Sequence, residues 1–545
     1  MPDLSPQDLI DATDALMGER RPWETGWREV ASYMLPDGPD FNQQDVPGAQ
    51  RRDLIVSNFG ETALEEAADG LMGLACMPGT RWKGLSVGAL PEDAHDERVW
   101  LEDANDRMLA VYDNPASRFI PAIKALALEW LGFGTGALFL NGRPGRLPIF
   151  EHRPLAEIAG AEGEDGFIDE TCWFFKWPAK KAYQRWGEAL PKNILDAALD
   201  PRKRHEPFEF RHYVYPRLDY DGAKRDARSR PYRECWLALA DKSLIEEGGF
   251  FTNPYIVGRT GKRGCWAYGR GRGVKALGNI KMLQRVARST IQAAEKTINP
   301  PTQSPDDGVM GTPDLRPGMD NPVRPEYLMR NAGIQPITTG ARPDIGMDFM
   351  EWVKQAAGDP LLRKALSLPR EPRMLVDQVM AIEEEAMRAA SPIVGEFQTE
   401  ILGPMDGRLF DIIARDRGFA PWPDSLAGAE IQPQFEAPAA RARNLGVVRA
   451  IANRNAIMGP VWQAQPELMD LHDFEREERT IGQILGIPAD LYRAPEVYAA
   501  MQKARAEVAK QREEREALKD DTTALKNATP ALSLIQGGKQ EEAAA

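Results

Sequence analysis

Tyr268-Gly269-Arg270-Gly271-Arg272-Gly273 opens the stretch that decides the fold; the chain runs on from Val274 to Asn299 and stops at Pro300-Pro301. Glycines ahead of a first turn and a double proline that cannot continue the hydrogen-bond ladder are helix punctuation. From Val274 to Ile298 such a helix would span roughly 37 Å at about 1.5 Å per residue. Leu277, Ile280, Ala287, Ile291, Ala294 and Ile298 recur at spacings that form one apolar stripe. Lys281, Arg285 and Arg288 repeat the i, i+4, i+7 spacing on a neighbouring face. The sequence therefore predicts a long helix that packs on one side and meets charge on another.

The order of motifs carries a resemblance. Tyr-Gly-Arg-Gly-x-Gly, a helix and Asn299-Pro300-Pro301 are followed by Pro305-Asp306-Asp307-Gly308 and Leu315-Arg316-Pro317-Gly318. This resembles the portal proteins of short-tailed bacteriophages, also called head-to-tail connecting proteins, and the resemblance extends over most of the chain. Upstream, a helix, Gly132-Phe133-Gly134-Thr135-Gly136 and the apolar strand Ala137–Leu140 look like the same family, as does Leu485-Gly486-Ile487-Pro488. The expected class is α+β and helix-rich, a portal-type ring subunit with an α+β wing, long stem helices, a small β-rich clip and a helical C-terminal crown.

The expected boundaries run 1–267 for the wing, 268–299 for the first stem helix, 300–343 for the clip and 344–366 for the second stem helix. A channel loop at 367–376 precedes a long wing helix and strand at 377–436, where Gly395, Gly403-Pro404 and Gly407 predict a bend. A C-terminal helical region at 437–495 and a crown helix with a disordered tail at 496–545 complete the chain. Within the wing, Ser5-Pro6 reads as a helix cap and first turn. Phe208, Phe210, His212 and Val214 alternate with Glu209, Arg211, Tyr213 and Tyr215, the period of a half-buried strand.

Bulk composition sets limits. The 545 residues suffice for several cores, and 43% hydrophobic with 28% charged content is ordinary for a soluble protein. No apolar run has the length of a membrane span, and Met1-Pro2-Asp3-Leu4-Ser5 is no signal peptide. Cys76, Cys172, Cys235 and Cys265 are scattered, which argues against a disulfide framework or zinc site and for a reducing compartment. A net charge of −14 argues against a protein that grips nucleic acid over its whole surface, though not against one that lets DNA slide past. An acidic wall with a few basic rings would suit a conduit, because many phosphate contacts repeated in every subunit would hold DNA rather than pass it.

Catalytic motifs are thin. Tyr268–Gly273 could cradle a phosphate at a helix N-terminus, yet no Gly-Lys-Ser/Thr triplet occurs, and Gly261-Lys262-Arg263 lacks the metal-binding hydroxyl. Gly269, Gly271 and Gly273 are expected instead to form a flexible hinge between the wing and the long helix. The five histidines have no metal-ligand spacing, Asp306-Asp307 and Asp520-Asp521 are adjacent solvated pairs, and no Gly-x-Ser-x-Gly elbow is present. No cofactor, metal site or enzymatic activity is expected.

Charge is more informative. Between Arg259 and Lys296 stand ten basic residues against one acid, Glu295, while Asp344, Asp348 and Glu351 repeat the helical spacing with opposite sign. Antiparallel helices would bring Lys281 to Glu351, Arg285 to Asp348 and Arg288 to Asp344, within a subunit or across a ring interface; the alternative is that both faces are solvated. By resemblance, the break Pro369-Arg370-Glu371-Pro372-Arg373 occupies the position of the channel loop, making Arg363, Lys364, Arg370 and Arg373 the candidates for phosphate contact. Where related proteins start the next helix with a Met-Thr-Ala-Thr-Glu-Val-like run, this chain has Met374-Leu375-Val376-Asp377-Gln378-Val379.

The resemblance implies a portal ring, a dodecamer of this chain, at one capsid vertex of a virion assembled in the host bacterial cytoplasm. Double-stranded DNA would enter and leave through its channel. The terminase large subunit, tail adaptor and tail tube proteins, scaffolding protein and major capsid protein would be its partners. The alternatives are a tail or neck ring that never contacts packaged DNA and a nucleotide-dependent enzyme.

Overall fold

A computed structural model describes residues 4–38, 41, 51–77, 79–88, 94–142, 145–217, 219–220, 226–305, 312–324, 334–338, 340, 342–363, 376–426, 428–435, 438–485, 487, 489–493, 496–515 and 519. The chain divides into two compact units, one formed by Met1–Ser86, Ala104–Phe419 and Gln432–Gly446, the other by Val87–Asp103, Ala420–Ile431 and Val447–Ala545.

In the first unit, α1 (Pro6–Met34) starts with a capping box. Asp8 N–H donates to the Ser5 hydroxyl, and the Asp8 carboxylate accepts from Ser5 N–H at 2.9 Å. Next, α2 (Phe59–Ala75) buries Ala63, Leu64, Ala67, Ala68 and Leu71, and β1 (Lys83–Val87) leads to α3 (His95–Asp113). The helix α4 (Phe119–Gly132) is apolar on most of its faces and correspondingly buried. It feeds β2 (Thr135–Asn141), the middle strand of an antiparallel sheet between β3 (Ile149–Arg153) and a later strand, Tyr255–Arg259.

A five-stranded antiparallel meander follows: β4 (Ile158–Glu162), β5 (Ile168–Pro178), β6 (Pro207–Pro216), β7 (Tyr232–Ala238) and β8 (Ser243–Phe250). Two short helices, α5 (Ala179–Trp186) and α6 (Lys192–Leu199), interrupt it, and Tyr255–Arg259 is β9. The alternation in β6 predicts a half-buried strand, but Phe210 through Val214 are all buried. The reason lies far away in sequence. One face of the sheet packs on Ala182, Ile194 and Ala197, while the other, through Cys172, Tyr213, Cys235 and Leu237, packs on Leu9, Ile10 and Leu16 of α1. Arg211 points into that second layer because Asp14 holds its guanidinium at 2.7 Å and Thr13 accepts a further bond from it.

The predicted long helix is α7 (Arg272–Ile298). Between it and α8 (Pro343–Gly358) lies a small sheet in which β10 (Thr302–Pro305) pairs in parallel with β11 (Asp320–Val323) and antiparallel with β12 (Gln335–Pro336). The helix expected over 344–366 ends at Gly358, and Leu362 adopts φ 56°, outside any helical run. Then α9 (Val376–Phe397), a π-helical turn Gln398–Leu402 and α10 (Gly403–Arg415) form one interrupted rod. Pro404 has no N–H to offer the carbonyl of Glu400, so the expected bend takes the form of a wider turn, closed by Gly403 N–H on the Gln398 carbonyl. After β13 (Ile431–Phe435) comes α11 (Pro438–Ala464).

The main core gathers Trp27, Leu64, Leu71, Leu126, Trp130, Ile280, Phe397 and Leu409 from α1, α2, α4, α7, α9 and α10. Cys76, Cys172 and Cys235 are buried free thiols whose pKa burial pushes up to about 12; Cys265 is exposed and free. In the second unit, Trp100 and Trp422 rings lie 4.8 Å apart and the Trp100 indole N–H donates to Ala420 O. Arg454 of α11 bonds Glu477 of α12 (Phe474–Leu485) at 2.6 Å, and residues 496–515 form a further helix.

Candidate functional site

The glycines expected as a hinge are instead points of backbone contact. A β-carbon on Gly269 would lie 2.3 Å from Gly134 O, one on Gly271 2.5 Å from Gly134 N, and one on Gly273 2.5 Å from Gly132 O. Thr135 Oγ1 accepts from Gly269 N–H, Phe133 O accepts from Gly271 N–H, and Gly134 O accepts from Thr260 N–H. Two glycine-rich segments more than a hundred residues apart thus clasp each other, and the start of α7 is pinned to the α4–β2 turn. Tyr268 is buried beside them, with Trp27 edge-on at 5.1 Å and Trp23 at 5.9 Å. The amide groups a phosphate cradle would use at Gly269 and Gly271 are spent on the protein itself.

From that anchor α7 runs antiparallel to α8. Asn279 donates to Ala356 O at 2.7 Å, and a β-carbon on Gly346 would meet the Thr290 hydroxyl at 2.4 Å. This register differs from the one expected from charge by about three residues, nearly one turn. None of the three expected ion pairs forms within the subunit. Lys281 bonds Glu29 of α1 at 2.9 Å, Asp344 bonds Arg342 at 2.7 Å, and Glu351 sits 3.5 Å from Lys354. Arg285 and Arg288 are exposed.

The apolar stripe of α7 is buried only in part. Leu277, Ile280 and Ala287 join the core, whereas Ile291 is 48% exposed and Ile298 84%. The facing half of α8 repeats the pattern. Val353 and Ala357 are buried, but Ile345, Met347, Phe349 and Trp352 are exposed, with Phe349 and Trp352 stacked at 5.6 Å. The far half of this helix pair therefore presents six large apolar side chains beside Arg285 and Arg288, which form no ion pair among the described residues.

Of the channel-loop candidates, Arg363 is tied to Glu66 of α2 at 2.6 Å and lies over Phe59. Lys364, Arg370 and Arg373 lie outside the described residues. Sequence reasoning missed a second anchor. Glu396 and Glu400, one turn apart at the π-helical turn, grip the end of β9: Glu396 accepts from Thr260 Oγ1 at 2.8 Å and Gly261 N–H at 3.0 Å, and Glu400 accepts from Arg259 N–H. The fully buried Arg259 guanidinium also meets Glu162 at 2.7 Å. The available signal was the pair of carboxylates just ahead of Gly403-Pro404. No group of three or more His, Cys, Asp or Glu side chains that could hold a metal occurs among the described residues, and no described helix is long and apolar enough to cross a membrane.

The sequence model of the family described as "Bacteriophage head to tail connecting protein" matches residues 6–492. The chain belongs to this family. It is thereby a structural component of a bacteriophage virion rather than an enzyme, with a mixed helix and strand architecture built to assemble as an oligomer. The chain is similar to the portal protein of Salmonella phage epsilon15, 23% identical over 528 residues covering 94% of this chain and 93% of that one. It is similar also to the probable portal protein of Bordetella phage BPP-1, 24% identical over 516 residues covering 92% and 91%. Among solved structures, a chain from the virion of a native gene transfer agent particle aligns at TM-score 0.34 and 12% identity, over 75% of this chain and 91% of that one. That structural likeness is too low to carry weight.

Proposed function

We propose that copies of this chain close into a portal ring at one capsid vertex, with a bore through which double-stranded DNA is packaged and ejected. The observation that carries the reading is the α7–α8 pair, rigidly clasped at one end and uncovered along the other half. Six large apolar side chains left in water need a partner. Arg285, Arg288 and Asp348 form no ion pair among the described residues and give neighbouring copies complementary edges. The edge of Lys281, Arg285 and Arg288 thus meets the edge of Asp344, Asp348 and Glu351 across the ring, where Lys281, Asp344 and Glu351 exchange their partners Glu29, Arg342 and Lys354. A heterologous contact of this kind closes into a ring when its rotation divides the circle. The portal names of the two phage relatives support the same assignment.

In this reading residues 1–267 form the wing, α7 and α8 the stem, 300–343 the clip and 496–545 the crown. Lys364, Arg370 and Arg373 contact DNA phosphates in the bore, and Arg363 anchors the segment that carries them. The ring is a dodecamer assembled in the bacterial cytoplasm with scaffolding and major capsid proteins. The terminase large subunit docks for packaging, and the tail adaptor and tail tube proteins dock afterwards. Electron microscopy of the purified chain tests this. Closed rings with a lumen wide enough for duplex DNA are expected; a monomer under all conditions, or a ring too narrow for a duplex, overturns it.

A further inference from the structure

Four cations fall within thirteen residues around the first turn of α7, three of them exposed and Arg272 half-buried. The side chains of Arg263, Arg270, Arg272 and Lys275 make no ion pair or hydrogen bond among the described residues. Their neighbour Lys262 is different, since Glu162 holds it at 2.7 Å. Burial, then the charge of Arg272 and, more weakly, Arg263, push the Lys275 ammonium pKa down, so both arginines lie within electrostatic reach of Lys275. Glu396 opposes that push, but both of its oxygens already accept bonds from Thr260 and Gly261. In a chain of net charge −14, four cations facing one nearby carboxylate leave an excess of positive charge in one place, and their mutual repulsion costs stability in the free protein.

The corner also has a platform. Trp266 is 38% exposed, Arg270 lies over its ring at 5.4 Å, and Trp23 meets its edge at 5.3 Å. With one face under a guanidinium and an edge against another indole, Trp266 is placed to hold Arg270 still rather than to stack on a base. No further large apolar side chain is exposed between Gly261 and Lys275. A protein partner would be expected to find an uncovered apolar anchor there; a polyanion needs only the charge. Three of the four cations are arginines, whose planar fork matches a phosphate.

We propose that Arg263, Arg270, Arg272 and Lys275, on the Trp266 platform, form a sequence-independent docking point for the phosphate backbone of duplex DNA, additional to the Pro369–Arg373 segment. The identity of the polyanion rests on the portal reading; the binding itself does not. The test is fluorescence anisotropy of a labelled, mixed-sequence duplex with the full-length protein over a range of NaCl concentrations. Each phosphate contact contributes about −0.9 to the log–log salt slope. The double variant Arg263→Glu/Arg272→Glu should bind at least about tenfold more weakly at low salt, with a slope shallower by about two. Arg449→Glu/Arg505→Glu, the same charge change on exposed helical positions of the second unit, should lose far less. Equal losses in both double variants, or unchanged binding in the first, overturn the proposal. So does a result in which the first variant keeps duplex affinity but loses binding to poly-glutamate, which would assign the corner to an acidic protein. Micrographs of the same samples separate the two claims: duplex binding that depends on these residues in a protein forming no rings would leave the docking point standing and remove the portal reading.

Discussion

Gly271 and Gly134 lie back to back, so close that a β-carbon on Gly271 would sit 2.5 Å from the Gly134 amide nitrogen. The atoms in the way are backbone, held by Gly271 N–H on Phe133 O and Thr260 N–H on Gly134 O, and neither segment can retreat without breaking a bond. Gly271→Ala should therefore destabilise the first unit by an amount at or above the upper end of the about 1–3 kcal/mol typical of overpacking. Gly278→Ala, inside α7 with open space at the β position, should be neutral or stabilising by up to about 1 kcal/mol. Denaturation midpoints of the two variants check this; equal effects would mean the clasp does not anchor α7.

Deep in the same unit Lys83 and Asp406 form an ion pair at 2.9 Å with both side chains essentially inaccessible, and Tyr112 donates to the same carboxylate oxygen. Burial holds the Asp406 pKa up and the Lys83 pKa down, each opposed by the other's charge. Lys83→Met should cost about 3–5 kcal/mol at neutral pH by stranding a buried carboxylate, and adding Asp406→Leu should recover much of it. The sign with pH follows. A carboxyl whose folded pKa is raised above its unfolded value stabilises below the unfolded value and loses that contribution as pH rises through the folded one. The penalty of Lys83→Met should thus shrink on acidification, read as a narrowing gap between variant and wild-type unfolding midpoints from pH 7 towards pH 4.

Exposed ion pairs add little stability, so the edges of α7 and α8 should matter for orientation. Arg285→Glu should reduce the fraction assembled in native mass spectrometry with little change in subunit unfolding. Asp348→Arg in the same chain should restore it. Failure of the second change to rescue the first removes the proposed pairing.

Trp352 is 58% exposed, and a surface substitution of this kind usually shifts stability by less than about 0.5 kcal/mol. If a neighbouring copy covers it, Trp352→Ala should leave the unfolding midpoint of dissociated subunits unchanged while raising the concentration needed for ring formation several-fold. An unchanged assembly midpoint in sedimentation would show that the aromatic stack with Phe349 lies outside the interface.

Reversal of charge at Arg370 and Arg373 to Glu should alter DNA packaging or retention while the ring still assembles. Packaged genome length and particle counts read the first, micrographs the second. Loss of the ring would make the segment structural.

Local signals settled much of this protein. Ser5-Pro6 opens α1, Pro300-Pro301 ends α7, and Gly403-Pro404 marks the irregular turn, because each acts through the covalent geometry of its own neighbourhood. The family, too, was legible, since it rests on the order of such punctuation along the chain. What only tertiary structure decided were the relations between distant segments. Whether Gly271 bends or clasps depends on Gly134, whether Arg211 faces water depends on α1, and the register of α7 against α8 depends on Asn279 and Thr290 finding Ala356 and Gly346. Periodicity says which side chains share a face; what that face meets is a matter of backbone approach and desolvation, and those are properties of the folded chain.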